Sequence, residues 1–140
     1  MKPELQPGIE TTFDIIVTEE MRPQFDGVVV HNVMSTVSMI YYMERAGRQL
    51  LLQYLDEDED HAGFAIDVKH VGPAVVGQRV TFFATCAEIM PKRVVCQVRA
   101  ETDCNVVGEG VFTQAVFKKA TMKDRVAHLT AQVDESQDSP

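Results

Sequence analysis

Three side chains with acid–base or nucleophilic chemistry lie in otherwise apolar segments: Thr36, Glu44 and His70. Thr36 and Glu44 belong to the stretch STVSMIYYMERAG (residues 35–47), and His70 lies in the alternating stretch GFAIDVKHV (residues 63–71). A carboxylate on an apolar face is too costly to bury alone, so it must be paired, bound to a ligand or used in a reaction. An imidazole directed into the same interior can act as a base near neutral pH, with the carboxylate orienting or stabilising it.

Each of these side chains also has a purely structural interpretation. Glu44 can pair with Arg48 one helical turn further on, an interaction worth about 0.2–0.5 kcal/mol. His70 can be a hydrogen-bonded core residue, and Thr36 can cap the start of a helix. Spacing alone does not choose between the structural and the chemical interpretations.

A long helix from about residue 36 to residue 55 is predicted to carry Thr36 and Glu44. Its leucine, methionine and alanine content favours helix, Ser35 or Thr36 can cap its start, and the acidic run at residues 56–60 opposes the helix dipole and ends it. Thr36 and Glu44 lie eight residues apart, which is about 12 Å along a helix axis and about 80° around it. They can therefore act together only across a bound substrate or a distorted first turn.

Strands are predicted on both sides of this helix, most of them after it. The alternation of apolar and polar residues and the turn-like MPK between two of the strands support this pattern. The predicted strands are TTFDIIV (11–17), GFAIDVKHV (63–71), QRVTFFATCAEI (78–89), RVVCQVRAET (93–102) and NVVGEGVFTQAVF (105–117).

The first half of the helix is apolar nearly all the way round, through Val37 and residues 39–43. A sheet must therefore cover most of its circumference. One long central helix wrapped by a curved antiparallel sheet is the hot-dog architecture, an α+β fold. Because a sheet edge exposes unpaired backbone groups that a second subunit can cover, we expect a homodimer.

The length of 140 residues predicts a single domain, over residues 1–130. A short amphipathic helix is predicted over residues 119–133, and the acidic residues 131–140 are expected to form a disordered tail. The net charge of −8 excludes a general nucleic-acid binder. No signal peptide and no membrane span are predicted, and the three cysteines are expected to be reduced, structural and cytoplasmic.

Neither metal-ligand spacing nor a glycine-rich phosphate motif is present, so no metal is expected.

Taken together, the positions of the candidate site residues resemble the fluoroacetyl-CoA thioesterase-like family of hot-dog thioesterases, over about residues 11–117. That family has a threonine followed eight positions later by a glutamate, matched by Thr36 and Glu44, and a V-x-H motif, matched by His70. Its glycine seven residues before the histidine is matched by Gly63, whose backbone can approach a ligand closely.

The resemblance implies an acyl-CoA thioesterase that needs no cofactor beyond the coenzyme A of its substrate. It implies His70 as general base and Thr36 as nucleophile or as the group that positions water. Glu44 would orient His70, attack the substrate or activate water, and the N–H groups near Thr36 and Val37 would stabilise the oxyanion. Several routes fit these residues, and the sequence does not choose between them.

Two departures argue against fluoroacetyl selectivity. The segment at residues 18–34 looks shorter and lacks the phenylalanine-rich lid region of the fluoroacetyl-specific enzyme, and Val37 replaces its glycine.

A coenzyme A substrate would also need cations at the pocket mouth. The candidates are Lys69, Arg79, Lys92, Arg93, Lys118 and Lys119.

Two rival functions stay open. Hot-dog acyl-thioester dehydratases use a histidine before the central helix with a carboxylate on it, a pair that His31 and Glu44 could form, although their Phe-Pro-Gly stretch is missing here. The other rival is a non-catalytic dimeric module that binds an acyl thioester, with Glu44 held by Arg48.

Overall fold

The computed structural model describes residues 1–138 and combines a five-stranded sheet, a small two-stranded hairpin, one helix packed against the large sheet and one outlying helix. A short 3-10 helix lies at Glu19–Met21. The strands are β1 (Glu10–Ile16), β2 (Gln24–Phe25), β3 (Val28–Val29), β4 (Glu59–His70), β5 (Arg79–Met90), β6 (Arg93–Glu101) and β7 (Val106–Lys118), and the helices are α1 (Thr36–Leu52) and α2 (Lys119–Asp138).

Five of the strands form one antiparallel sheet in the order β1-β5-β6-β7-β4. Its inward side chains alternate with outward ones, as at Phe82, Ala84 and Cys86 of β5, and they pack against α1. The predicted α+β architecture is therefore confirmed. The strand β4 begins at Glu59, so the last two residues of the acidic run at residues 56–60 belong to the sheet edge.

A small hairpin between β1 and α1 was not predicted. It pairs β2 with β3 through a two-residue turn at Asp26 and Gly27. Their positive φ angles of 53° and 81° are those of the hairpin turns whose backbone twist matches that of the flanking strands.

One face of α1 is buried and another is not. Met39, Met43 and Leu50 have no exposed surface. Only a glycine fits at position 47, because a Cβ there would lie 2.6 Å from the ring of Phe112. The other face carries exposed residues, including Val37 at 78% and Tyr41 at 63%. The expectation that the sheet covers most of the helix is thus wrong for the single chain, because the sheet ends at β4 and leaves this face open.

The helix α2 extends to Asp138, and the side chains of residues 119–137 are exposed. The predicted helix over residues 119–133 is therefore present, but residues 131–138 are helical where a disordered tail is expected. No glycine or proline interrupts residues 119–138, so the hydrogen-bonded turns propagate. The remaining residues of that tail, Ser139 and Pro140, lie outside the described residues, and the domain boundary at residue 130 stays a prediction.

The cysteines are free thiols, and two of them are buried. Cys86 and Cys96 lie opposite each other on β5 and β6, and burial raises the pKa of the Cys96 thiol to about 12, with Cys86 adding to the effect. Cys104 is exposed.

Within residues 1–138, no helix is both long enough and apolar enough to span a bilayer.

Candidate active site

The start of α1 meets the end of β4 through Thr36 and His70. The Thr36 hydroxyl oxygen lies 2.8 Å from His70 Nδ1, although the residues are 34 positions apart. Ser35, rather than Thr36, caps the helix, because its side chain accepts a hydrogen bond of 3.0 Å from the Ser38 N–H. The Thr36 hydroxyl is therefore left for the imidazole, an arrangement in which a base can activate a hydroxyl or a bound water.

Glycine in β7 lets the sheet approach this end of the helix. Gly108 pairs with His70 in the β4–β7 register, and a Cβ on Gly108 would collide with the sulfur of Met39. The backbone of β7 can thus lie close to the first turns of α1, which brings the helix start to the level of His70.

Glu44 lies two turns further along α1, beside Gly63 of β4. Its Oε2 is 3.9 Å from the point that a Gly63 Cβ would occupy. Within residues 1–138, Glu44 forms neither a hydrogen bond nor an ion pair within 4.0 Å. The structural interpretation that paired Glu44 with Arg48 is therefore wrong, and the carboxylate is left open to a ligand.

Two adjoining cavities meet at Glu44, Gly63 and Phe112, which line both. The first, here called the Arg48 cavity, measures about 380 Å³, and the second, the Phe64 cavity, about 310 Å³. The Arg48 cavity is also lined by Tyr41, Arg45, Arg48, His61, Ala62 and Gln114, and the Phe64 cavity by Phe64, Ala65 and Ile66.

The site residues predicted from the sequence thus fall into two groups. Thr36 and His70 are in contact, with the exposed Val37 next to Thr36, whereas Glu44 and Gly63 line the two cavities. Neither Thr36 nor His70 lines these cavities. The first turn of α1 is regular, so a ligand would have to span the distance between the groups.

Three further polar residues at the Arg48 cavity were missed from the sequence. Arg48 Nη1 lies 2.9 Å from His61 Nε2, and Gln114, with no exposed surface, donates a hydrogen bond of 2.9 Å from Nε2 to the Gly47 carbonyl. Burial and then the Arg48 charge lower the pKa of His61, while Asp60 and Gln114 act in the opposite direction. The sequence did contain a signal for Gln114: the alternation of β7 places it at an inward position, between Phe112 and Val116.

The candidate cations do not gather into one patch. Arg93 lies over the ring of Phe64, 3.8 Å from its centroid, and so stands beside the Phe64 cavity. Lys92 and Arg93 line a further cavity of about 560 Å³ at the β6–β7 end. Lys118 pairs with Asp58 at 2.8 Å, and Lys69, Arg79 and Lys119 are exposed.

Other features contribute little to this site. His31 is exposed and lines neither cavity at Glu44, so the structure does not bring the dehydratase pair together. A cavity of about 560 Å³ between Glu10, Gln97 and Glu109 lies on the outer face of the sheet, away from Glu44 and His70. Within the described part of the chain, no group of three or more His, Cys, Asp or Glu side chains could hold a metal ion.

Comparison with known structures defines the class of the protein. A hypothetical protein of Thermus thermophilus, TTHA0967, described as a thioesterase superfamily member, is 29% identical, with a TM-score of 0.90 over 95% of this chain and 98% of its own. A hot-dog-like protein from Thermanaerovibrio acidaminovorans is 22% identical, with a TM-score of 0.81 over 91% of this chain and 92% of its own. The fold is that of the hot-dog thioesterases, and the class is that of the thioester hydrolases.

The family is defined by the sequence itself. Residues 17–120 match the model of the fluoroacetyl-CoA-specific thioesterase family, FlK, so the chain belongs to that family. A mutant form of the fluoroacetyl-CoA thioesterase FlK, in complex with fluoroacetate, is 22% identical, with a TM-score of 0.81 over 89% of this chain and 98% of its own. Among curated proteins, none matches the chain.

Proposed function

We propose that this chain hydrolyses acyl-CoA thioesters to a free acid and coenzyme A at a site formed by Thr36, Glu44 and His70. The observation that supports this most directly is the 2.8 Å contact between the Thr36 hydroxyl and His70 Nδ1 in a member of a thioesterase family. Glu44 supports it further, because its carboxylate has no protein partner within residues 1–138 and lines two cavities.

The chemistry starts at His70. The neutral imidazole takes a proton from the Thr36 hydroxyl or from a water bound beside it, and the oxygen attacks the thioester carbonyl. The carbonyl oxygen becomes an oxyanion, which the N–H groups of Thr36 and Val37 stabilise, since no carbonyl of the same helix pairs with them and the cap takes only the Ser38 N–H. The C–S bond then breaks, and the thiolate of coenzyme A leaves with the proton that the imidazolium returns.

Glu44 and Gly63 act on the acyl side of this reaction. Gly63 lets the acyl group approach β4 without meeting a Cβ, and Glu44 beside it holds or activates the water that completes hydrolysis. Because Glu44 lies about 12 Å along α1 from Thr36, this water does not reach an acyl group bonded to the Thr36 oxygen. The two routes are therefore alternatives: attack by Thr36 or a water beside it, with His70 also activating the water that completes hydrolysis, or direct attack on the carbonyl by the water at Glu44. Both routes consume one water and give the same products.

The coenzyme A portion is assigned to the Phe64 side of the site. Arg93 stands over the Phe64 ring next to the Phe64 cavity, with Lys92 adjacent in sequence. Guanidinium and ammonium groups pair with phosphate oxygens, and in a chain of net charge −8 this pair of neighbouring cations supplies the local positive charge that an anionic carrier needs.

The working assembly in this proposal is a cytoplasmic homodimer. The strand β4 lies at one edge of the sheet, and next to it α1 exposes Val37, Tyr41 and Leu52. A second copy pairing along β4 would cover these apolar side chains and Phe64, which is 55% exposed. The cavities at Glu44 would then be enclosed between two subunits.

A panel of acyl-CoA thioesters of different chain lengths tests the function. Release of coenzyme A is followed with a thiol reagent, in a Cys104→Ser background that removes the exposed thiol of the protein. We expect turnover of at least one ester, and its loss in Glu44→Gln, a variant of the same size without the charge. If no ester is turned over by the folded protein, the proposed hydrolysis is wrong.

A further inference from the structure

The Arg48 cavity is lined by two guanidinium groups without a carboxylate partner. Arg45 lies over the ring of Phe13, 4.3 Å from its centroid, and Arg48 contacts His61. Within residues 1–138, neither arginine forms an ion pair within 4.0 Å, even with Glu44 in the same cavity. With one carboxylate against two guanidinium groups, the lining carries a net positive charge inside a chain of net charge −8.

The position of Arg48 is fixed by a neutral histidine. A guanidinium can only donate hydrogen bonds, so His61 Nε2 must accept the one at 2.9 Å, and the ring proton then sits on Nδ1. The lowered pKa of His61 keeps the ring in this neutral form at pH 7. Arg48 therefore uses one of its N–H donors in the contact with His61, and its other N–H donors are available to a ligand.

Gln114 is a buried neighbour of His61 in the lining of the Arg48 cavity. Because its Nε2 donates to the Gly47 carbonyl, its Oε1 is the acceptor that remains. Gln114 Oε1 and His61 Nδ1 are both buried and have no hydrogen-bond partner within residues 1–138. The cavity therefore offers a ligand one unpaired acceptor and one unpaired donor beside Arg48.

We propose that Arg48 is a specificity-determining residue, which selects acyl groups whose far end carries a carboxylate, as in a short dicarboxylic acid bound to coenzyme A through one end. This inference rests on the proposed hydrolysis by the route in which the water at Glu44 attacks the carbonyl, because Arg48 lies one helical turn, about 6 Å along the axis, from Glu44. A carboxylate accepts two parallel hydrogen bonds from a guanidinium, and it supplies the negative charge that the cavity lining lacks. A cavity of about 380 Å³ suits a short acyl chain of this kind.

The test compares succinyl-CoA with butyryl-CoA, whose acyl groups have the same number of carbons and differ in the terminal carboxylate. We expect wild type to favour succinyl-CoA in kcat/KM. Arg48→Met, which keeps the length of the side chain, should lower kcat/KM for succinyl-CoA by about 10- to 100-fold, mainly through KM. It should leave butyryl-CoA within about threefold, because the lost contact involves the terminal carboxylate only. Arg125→Met, on the exposed surface of α2, is the matched control and should change neither substrate.

The outcomes separate this inference from the proposed hydrolysis. If butyryl-CoA is hydrolysed as well as succinyl-CoA, or if Arg48→Met leaves their ratio unchanged, the inference is overturned while the hydrolase stands. If neither ester is hydrolysed, calorimetric titration with free succinate decides. Binding to wild type that Arg48→Met abolishes would support the carboxylate site without the hydrolysis of these esters, and absence of binding to wild type would overturn the inference, while the full acyl-CoA panel tests the hydrolysis.

Discussion

The hydroxyl of Thr36 and Nδ1 of His70 lie 2.8 Å apart at the junction of α1 and β4. This contact is possible because Ser35 takes the capping position, which leaves the first helical residue free to face the strand. It joins two predicted site residues that line neither of the cavities at Glu44. In the proposed site this contact forms one end, and Glu44 and Gly63 form the other.

The stability of the protein should depend on pH through His61. Its pKa in the folded chain is lowered, first by burial and then by Arg48, so the unfolded chain binds this proton at higher pH than the folded chain does. The contribution is complete above the ordinary pKa of about 6.5 and is lost as pH falls through the folded value. Urea unfolding at about pH 7.5 and about pH 5 should show a loss of stability at the lower pH that His61→Gln reduces.

His128→Gln, at an exposed position on α2, is the control for this measurement. The explanation fails if His61→Gln and wild type lose the same free energy of unfolding over this pH range.

Two glycines beside Phe112 should respond differently to alanine. A Cβ at Gly47 would lie 2.6 Å from the Phe112 ring, whereas one at Gly63 would lie 3.5 Å from it, an ordinary contact. We expect Gly47→Ala to lower the free energy of unfolding by about 1–3 kcal/mol, because the ring must shift. Gly63→Ala should stay within about 0.5 kcal/mol of wild type but lower kcat/KM by about tenfold or more, because the methyl group enters the acyl path beside Glu44.

Chemical denaturation and steady-state kinetics of both variants check this contrast. A Gly63→Ala enzyme as active as wild type would show that the acyl group does not pass beside Gly63.

The proposed dimer predicts a molecular mass near twice the 15.6 kDa of one chain by light scattering. Phe64→Glu should shift the mass toward the monomer, because it places a charge where a second copy would pack. The new carboxylate can still pair with Arg93, so the fold of the single chain is retained. Met122→Glu, on the exposed face of α2, should leave the mass unchanged. A wild-type mass of one chain would contradict the proposed assembly.

Local pattern was enough to predict the elements that carry the site. Alternation placed His70 on a strand and composition placed Thr36 at a helix start. The resemblance on four residues also pointed to the family that the chain belongs to. What the sequence could not supply depends on long-range packing: the Gly47 carbonyl that Gln114 contacts lies 67 residues away, and the open face of α1 follows from where the sheet ends.

The partner of Arg48 shows the same limit. Helical spacing predicted Glu44, one turn away, as the ion-pair partner of Arg48. The arginine contacts His61 instead, which β4 brings alongside the helix. Only the tertiary structure shows that this exchange leaves the Glu44 carboxylate open to the cavities.

The most direct test of the central claim is a double-mutant cycle on Thr36 and His70, with kcat/KM measured for the best substrate of the acyl-CoA panel. If the two side chains act as one unit, Thr36→Ala and His70→Ala should each lower kcat/KM by about 10²- to 10⁴-fold. The double variant should then be no worse than the poorer single variant. Losses that multiply in the double variant, or single variants that retain wild-type activity, would contradict the account.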